Sequence, residues 1–215
     1  MSNRSSQPVD FNIYLITDQE QTAGRGLLST VEQALAGGVR GVQLREKARS
    51  AREYYEIALA LRDLTNRFGA RLLINDRIDI ALAVGADGVH LPESGMPVAA
   101  TRSLFGRDRF IGVSCHSLAA ACDAERYGAD FITFGPVFHT PSKMPYGEPL
   151  GVEALAEVNL TLSIPVFALG GVSRQRAPQL LDSGIHRIAC ISALLAAADP
   201  CAEAQFLSGL VGPTT

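Results

Sequence analysis

Arg45 and Lys47 stand two residues apart directly after the apolar run "GVQL". Residues i and i+2 of an extended segment project to one side, so the two cations face the same way and Glu46 turns from them. Two positive charges on one side suit a polyanion such as pyrophosphate. A solvated salt-bridge cluster with Glu46 or nearby aspartates is the plainer alternative, and it is less common straight after a buried strand. Asn75 and Asp76 end another apolar run, "RLLI". There the Asp76 carboxylate could hold Mg²⁺ against phosphate oxygens, because that ion usually takes only one or two protein carboxylates. Asp76 could equally cap a helix, and spacing leaves both readings open. His116, in "GVSCHSL", is a candidate proton carrier because imidazole titrates near neutrality. Capping of the helix that begins near Ser117 is its alternative.

A second group of candidates lies later in the chain. Gly170 and Gly171, in "FALGGVSRQ", let backbone N–H groups approach an anion closely, and a helix starting just beyond adds its positive end. With Ile191 and Ser192 opening a helix in "CISALL", they make a phosphate site; taken alone, the two glycines would signify only a tight turn. The stretch "FGPVFHTPSKMPYGEPLG", residues 134–151, is proline-rich and has neither helical nor alternating period. A loop of that length is a lid or binding loop, with Thr140, Ser142 and Lys143 as donors, or else a disordered insertion.

These residues need a frame that brings strand ends together. The segment "SAREYYEIALALRDLTNRFG" places Tyr54, Ile57, Leu61, Leu64 and Phe68 on one helical stripe, with Ser50 and Glu53 as a capping box and Gly69 at its end. Similar helical stretches close on Gly38, Gly85, Gly128 and Gly184, each followed by a strand candidate. Strands are expected near 12–16, 41–44, 71–74, 87–91, 110–114, 130–134, 164–168 and 186–190, alternating with helices. Apolar strands joined by helices belong in a parallel sheet covered outside, so the fold class is α/β, a single (β/α)8 TIM barrel. An open doubly wound sheet fits less well, because no GxGxxG follows the first strand. Residues 11–212 form the barrel domain and residues 1–10 a flexible tail. In such a barrel the residues past each strand converge on one face. That gathers Arg45, Lys47, Asn75, Asp76, Glu93, Ser114, His116, the Thr140–Lys143 loop, Gly170, Gly171 and Ser192 around one mouth.

Composition bounds the partners. The chain has 215 residues, 47% hydrophobic, with a net charge of −3 and no basic blocks, which argues against a nucleic-acid or membrane surface. No apolar run approaches the ~20 residues of a membrane span and no signal-peptide core is present, so a cytoplasmic setting is expected. Cys115, Cys122, Cys190 and Cys201 show no metal spacing and read as reduced, mostly buried side chains.

The motifs "QLREK", "INDRIDIAL", "GADGVHL", "GVSCHS", "GADFITFGPVF" with "TPSK", "ALGGV" and "ISAL" occur in order over about residues 12–198. In that register the chain resembles the thiamine phosphate synthase and thiazole tautomerase family. The resemblance implies a (β/α)8 barrel that joins hydroxymethylpyrimidine diphosphate to thiazole phosphate and releases pyrophosphate through a dissociative step. By motif, Arg45, Lys47, Asn75 and Lys143 would hold the diphosphate, with Ser114, Thr140 and Ser142 around it and the pyrimidine. Gly170, Gly171, Ile191 and Ser192 would hold the thiazole phosphate, and Asp76 would bind Mg²⁺. His116, Lys143 and Ser114 are the catalytic candidates. Synthases usually follow "VHL" with glycine, glutamine, any residue and a second metal-binding aspartate; here Pro92, Glu93, Ser94 and Gly95 follow, leaving Glu93 as the substitute. That turn looks more like the tautomerase branch, in which His116 would move the proton. The complete cation set favours the synthase, and a non-catalytic binder of phosphorylated metabolites is a third reading. A homodimer follows from family analogy alone.

Overall fold

The computed structural model describes residues 7–140 and 148–212. Eight parallel strands close into a barrel in sequence order: β1 (Ile13–Ile16), β2 (Gly41–Leu44), β3 (Arg71–Asn75), β4 (Gly88–Leu91), β5 (Phe110–Cys115), β6 (Phe131–Phe134), β7 (Val166–Leu169) and β8 (Ile188–Cys190). β1 pairs with both β2 and β8, so the sheet has no open edge. Between the strands run α1 (Leu27–Ala36), α2 (Ala51–Arg67), α3 (Ile78–Ala83), α4 (Val98–Phe105), α5 (Leu118–Tyr127), α6 (Gly151–Thr161) and α7 (Ala177–Asp182), with α8 (Ser192–Leu195) and α9 (Pro200–Val211) after the last strand. Each expected strand is present to within about two residues, and no described helix is long and apolar enough to cross a membrane.

α2 shows how local sequence fixes an element. Ser50 and Glu53 form the expected capping box, which stabilises the helix start by about 1 kcal/mol. Its buried stripe is Tyr54, Ala58, Leu61, Leu64 and Thr65; Ile57 and Phe68 flank it, half-buried. Gly69 follows with a positive φ. The Tyr54 hydroxyl donates to the Leu44 carbonyl at 2.6 Å, pinning the helix to the end of β2.

The strands turn one face to the helices and the other inward. Ile13, Leu15, Val42, Leu44, Val89, Ile111 and Ile132 join the outer core with the helices. Inside, Phe11, Tyr14, Leu73, Phe110, Phe131 and Phe167 fill the lower barrel. Phe131 meets Phe11 and Tyr14 edge-on at ring separations of 5.6 and 5.4 Å, contacts worth about 0.5–1.5 kcal/mol each beyond burial. This apolar plug fills the barrel below the strand ends.

Candidate active site

The open end holds a cavity of about 560 Å³. Its wall includes Arg45, Lys47, Asn75, Glu93, Ser114, His116, Thr140, Gly170, Gly171, Ile191 and Ser192. The converging strand ends therefore bring together nearly all the residues singled out by type and position. Ser142 and Lys143 lie outside the described residues.

The cations are held by their backbone and left free at their tips. The Arg45 amide donates to Thr17 Oγ1 at 2.9 Å, and the Thr17 amide donates to the Gln43 carbonyl at 2.9 Å, so β1 and β2 lock each other where the mouth begins. Neither the Arg45 guanidinium nor the Lys47 ammonium makes an ion pair or side-chain hydrogen bond among the described residues. Glu46 does turn away: its carboxylate accepts the Gln19 amide at 3.1 Å. The salt-bridge alternative is thus not what the chain builds.

At the end of β7 Gly170 and Gly171 take φ of 97° and 67°, conformations that favour glycine. A Cβ on Gly170 would stand 2.7 Å from Pro136. The amides of Gly171, Ser192 and Ala193 donate to no other backbone group among the described residues and remain available to a ligand. Arg176 braces this turn by donating to the carbonyls of Gly171 and His139 at 3.2 and 3.0 Å. The roots of the loop after β6 are ordered too, since Val137 and Phe138 donate to the carbonyls of Leu169 and Gly170.

Asp76 is not the helix cap. It takes a left-handed φ of 59°, its amide donates to the His90 carbonyl at 3.0 Å, and α3 begins two residues later behind Arg77. Its carboxylate is exposed, lies outside the cavity wall and makes no hydrogen bond among the described residues. Glu93 is in the wall and accepts the His116 amide at 2.8 Å through one oxygen. The ring of His116 donates its Nδ1–H to the Gly135 carbonyl. Ser117, not His116, caps α5.

Further polar residues reach the site or its floor without having been picked from the sequence, among them Asp18, Gln21, Gln43, Tyr14, His90 and Thr133. Asp18 and Gln43 line the cavity. Gln43 Nε2 donates to the Tyr14 hydroxyl at 3.1 Å, which lies 3.4 Å from His90 Nδ1; His90 Nε2 is 3.0 Å from Ser114 Oγ and 3.4 Å from Thr133 Oγ1. Burial, aided by the Arg45 charge, pushes His90 down to about 3, so the imidazole is neutral at working pH. Burial raises the Tyr14 phenol and keeps it protonated. It also pushes the thiol of Cys190, in the cavity wall, up to about 12, which makes that sulfur a poor nucleophile.

The sequence matches the family described as thiamine monophosphate synthase over residues 13–194. A relative from Geobacter sulfurreducens is 58% identical, covering 96% of this chain and 97% of its own. A thiamine-phosphate synthase from Chloroflexus aurantiacus is 43% identical over 96% of this chain and 95% of its own. Among solved structures, a thiamine phosphate pyrophosphorylase from Pyrococcus furiosus superposes with a TM-score of 0.85 at 36% identity, covering 94% and 95% of the two chains.

Proposed function

Because the chain belongs to the thiamine monophosphate synthase family, we propose that it joins hydroxymethylpyrimidine diphosphate to thiazole phosphate and releases pyrophosphate. The observation that carries this reading is the division of one cavity between two anion sites: free cations at Arg45 and Lys47, and free amides at Gly171, Ser192 and Ala193. A molecule with one phosphate would need only one of them.

Arg45, Lys47 and Asn75 take the diphosphate, with Lys143, Thr140 and Ser142 reaching it from the loop after β6. As the C–O bond to the pyrimidine methylene breaks, negative charge grows on the departing diphosphate and positive charge on the pyrimidine. Cations already in place meet the first charge without reorganising, and such preorganised charge usually lowers the barrier more than any other single effect. The amide turn of Gly170, Gly171, Ile191 and Ser192 holds the second substrate by its phosphate, so that the thiazole nitrogen is oriented toward the electrophilic carbon. His116 Nε2 and Ser114 Oγ are polar atoms between the two ends.

Mg²⁺ is compatible with this site. No group of three His, Cys, Asp or Glu side chains gathers among the described residues. Asp76 has a free carboxylate and Glu93 a spare oxygen, a hard-oxygen set that suits an ion completing its shell with phosphate and water. Asp76 and Glu93 would hold it, and it would supply charge neutralisation at the diphosphate. With the reading come small phosphorylated substrates, one barrel unit over residues 11–212, a homodimer by family analogy and a cytoplasmic setting, where free thiols such as Cys115 persist.

The test is pyrophosphate release by purified protein given both substrates and Mg²⁺. Release that requires both is expected. Absence of release, with interconversion of thiazole carboxylate phosphate tautomers instead, would overturn the reading and move the reaction to His116.

A further inference from the structure

Between the aromatic plug and the cavity lies one polar layer, built from Gln43, Tyr14, His90, Thr133 and Ser114. All five point inward from β2, β1, β4, β6 and β5, and the strand register sets His90 beside Gly112 and Ser114 beside Thr133. His90 itself is 1% exposed and touches no solvent-facing charge. An apolar side chain would fill the same volume without the cost of burying an imidazole, about 1–3 kcal/mol if its nitrogens were unpaired.

Donor counting gives the layer a direction. Gln43 Nε2 can only donate, so the Tyr14 oxygen accepts from it and the single phenolic proton is left for His90 Nδ1. A neutral imidazole that accepts at Nδ1 carries its proton on Nε2, which faces Ser114 Oγ at 3.0 Å. Having accepted that proton, the Ser114 hydroxyl turns its own toward the cavity it lines. The imidazole lies in the space that the absent side chain of Gly112 leaves. A Cβ on Gly112 would lie 2.6 Å from Nδ1, and the Phe131 ring packs 5.8 Å from the imidazole, centroid to centroid.

We propose that His90 is a positioning residue: fixed by Tyr14 as the Nε2–H tautomer, it makes Ser114 a hydrogen-bond donor to the pyrimidine substrate and holds the Gln43 amide with its carbonyl oxygen free as an acceptor. The role rests on the synthase reading for the identity of the ligand, and on the geometry alone for the tautomer.

Two measurements test it. In ligand-free protein, ¹⁵N NMR of the histidine rings should show His90 with its proton on Nε2 and no titration between pH 5 and 8; a proton on Nδ1 would overturn the proposal. In kinetics, His90→Leu should raise KM for hydroxymethylpyrimidine diphosphate about tenfold while inhibition by inorganic pyrophosphate stays the same, the scale expected for one lost hydrogen bond. His90→Gln, whose Nε2 can reach Ser114, should recover most of that loss. Equal losses in both variants, or a parallel loss of pyrophosphate inhibition, would mean that His90 only fills the core. Should His90→Leu fail to fold, Tyr14→Phe preserves the ring and its packing. It should raise KM about threefold, and an unchanged KM there would also overturn the proposal. Wild-type protein that releases no pyrophosphate sinks the synthase reading, while the NMR result still decides the tautomer.

Discussion

Two groups of cations in the barrel differ in what they are tied to. At the lower end the arginines around the strand starts are committed. Arg102 donates to the carbonyls of Gly106, Arg109 and Gly128 and to the Asp130 carboxylate at 2.6 Å, with both partners 4% exposed. Arg71 pairs with Asp10 and Asp87, Arg62 with Asp87, and Arg40 and Arg187 donate to carbonyls. At the mouth Arg45 and Lys47 have no partner among the described residues. The difference separates structural charge from functional charge: one set ties strand starts together, and the other waits for an anion.

The largest effect expected from that contrast is on folding. Asp130→Ala leaves the Arg102 guanidinium buried beside an empty site, and breaking such a pair costs about 3–5 kcal/mol. A urea denaturation midpoint lowered accordingly is expected. A midpoint close to wild type would erase the distinction between the two groups.

Next comes the mouth. Arg45→Ala should lower kcat/KM for the diphosphate substrate by about a hundredfold and leave the urea midpoint within about 0.5 kcal/mol of wild type. A large loss of stability with little loss of turnover would reverse the assignment.

The polar layer between the ends has its own signature in acid. His90 is held near 3 in the folded chain against about 6.5 when unfolded. Between those values the unfolded chain binds one more proton, so the stability contributed by neutral His90 is present above about pH 6.5 and drains away as pH falls toward 3. The slope for this group is at most about 1.4 kcal/mol per pH unit. Denaturation curves across pH 4–6 should be shallower in their pH dependence for His90→Gln than for wild type, and identical slopes would count against the burial argument.

Smaller effects should follow at exposed positions. Lys47→Ala is expected to weaken pyrophosphate inhibition about fivefold at low salt and less at high salt, because an exposed charge acts through a screened field. His116→Gln should change synthase turnover by less than about threefold. Abolished turnover with intact substrate binding would instead assign the ring to proton transfer in the synthase reaction.

Much of this was legible in the chain. The strands could be placed because each is a short apolar run between helical periods, and Arg45, Lys47, Asn75 and Glu93 stood out because charge or amide follows such a run abruptly. Gly170 and Gly171 announced a turn that no side chain could occupy. What could not be read is what lies inside a strand. His90 sits in "GVHL" and Gln43 in "GVQL", where a polar residue between apolar ones signifies only alternation. Which face is inward, and that five such residues meet at one level, depends on the closed register of all eight strands. The two readings of Asp76 could not be separated for a related reason. Its left-handed turn belongs to the ladder with β4, and no local pattern separates that from a helix cap.

The close approach at Gly112 sets a rule for anyone who would retailor this barrel. With 2.5 Å between its absent Cβ and the Phe131 ring, that glycine is the space into which two neighbouring strands project their rings. Even an alanine there would need a smaller residue at 131 or at 90, so these positions can be exchanged only as a set. Substitutions at the mouth can be drawn one at a time, whereas a library that varies strand five alone would mostly sample broken floors.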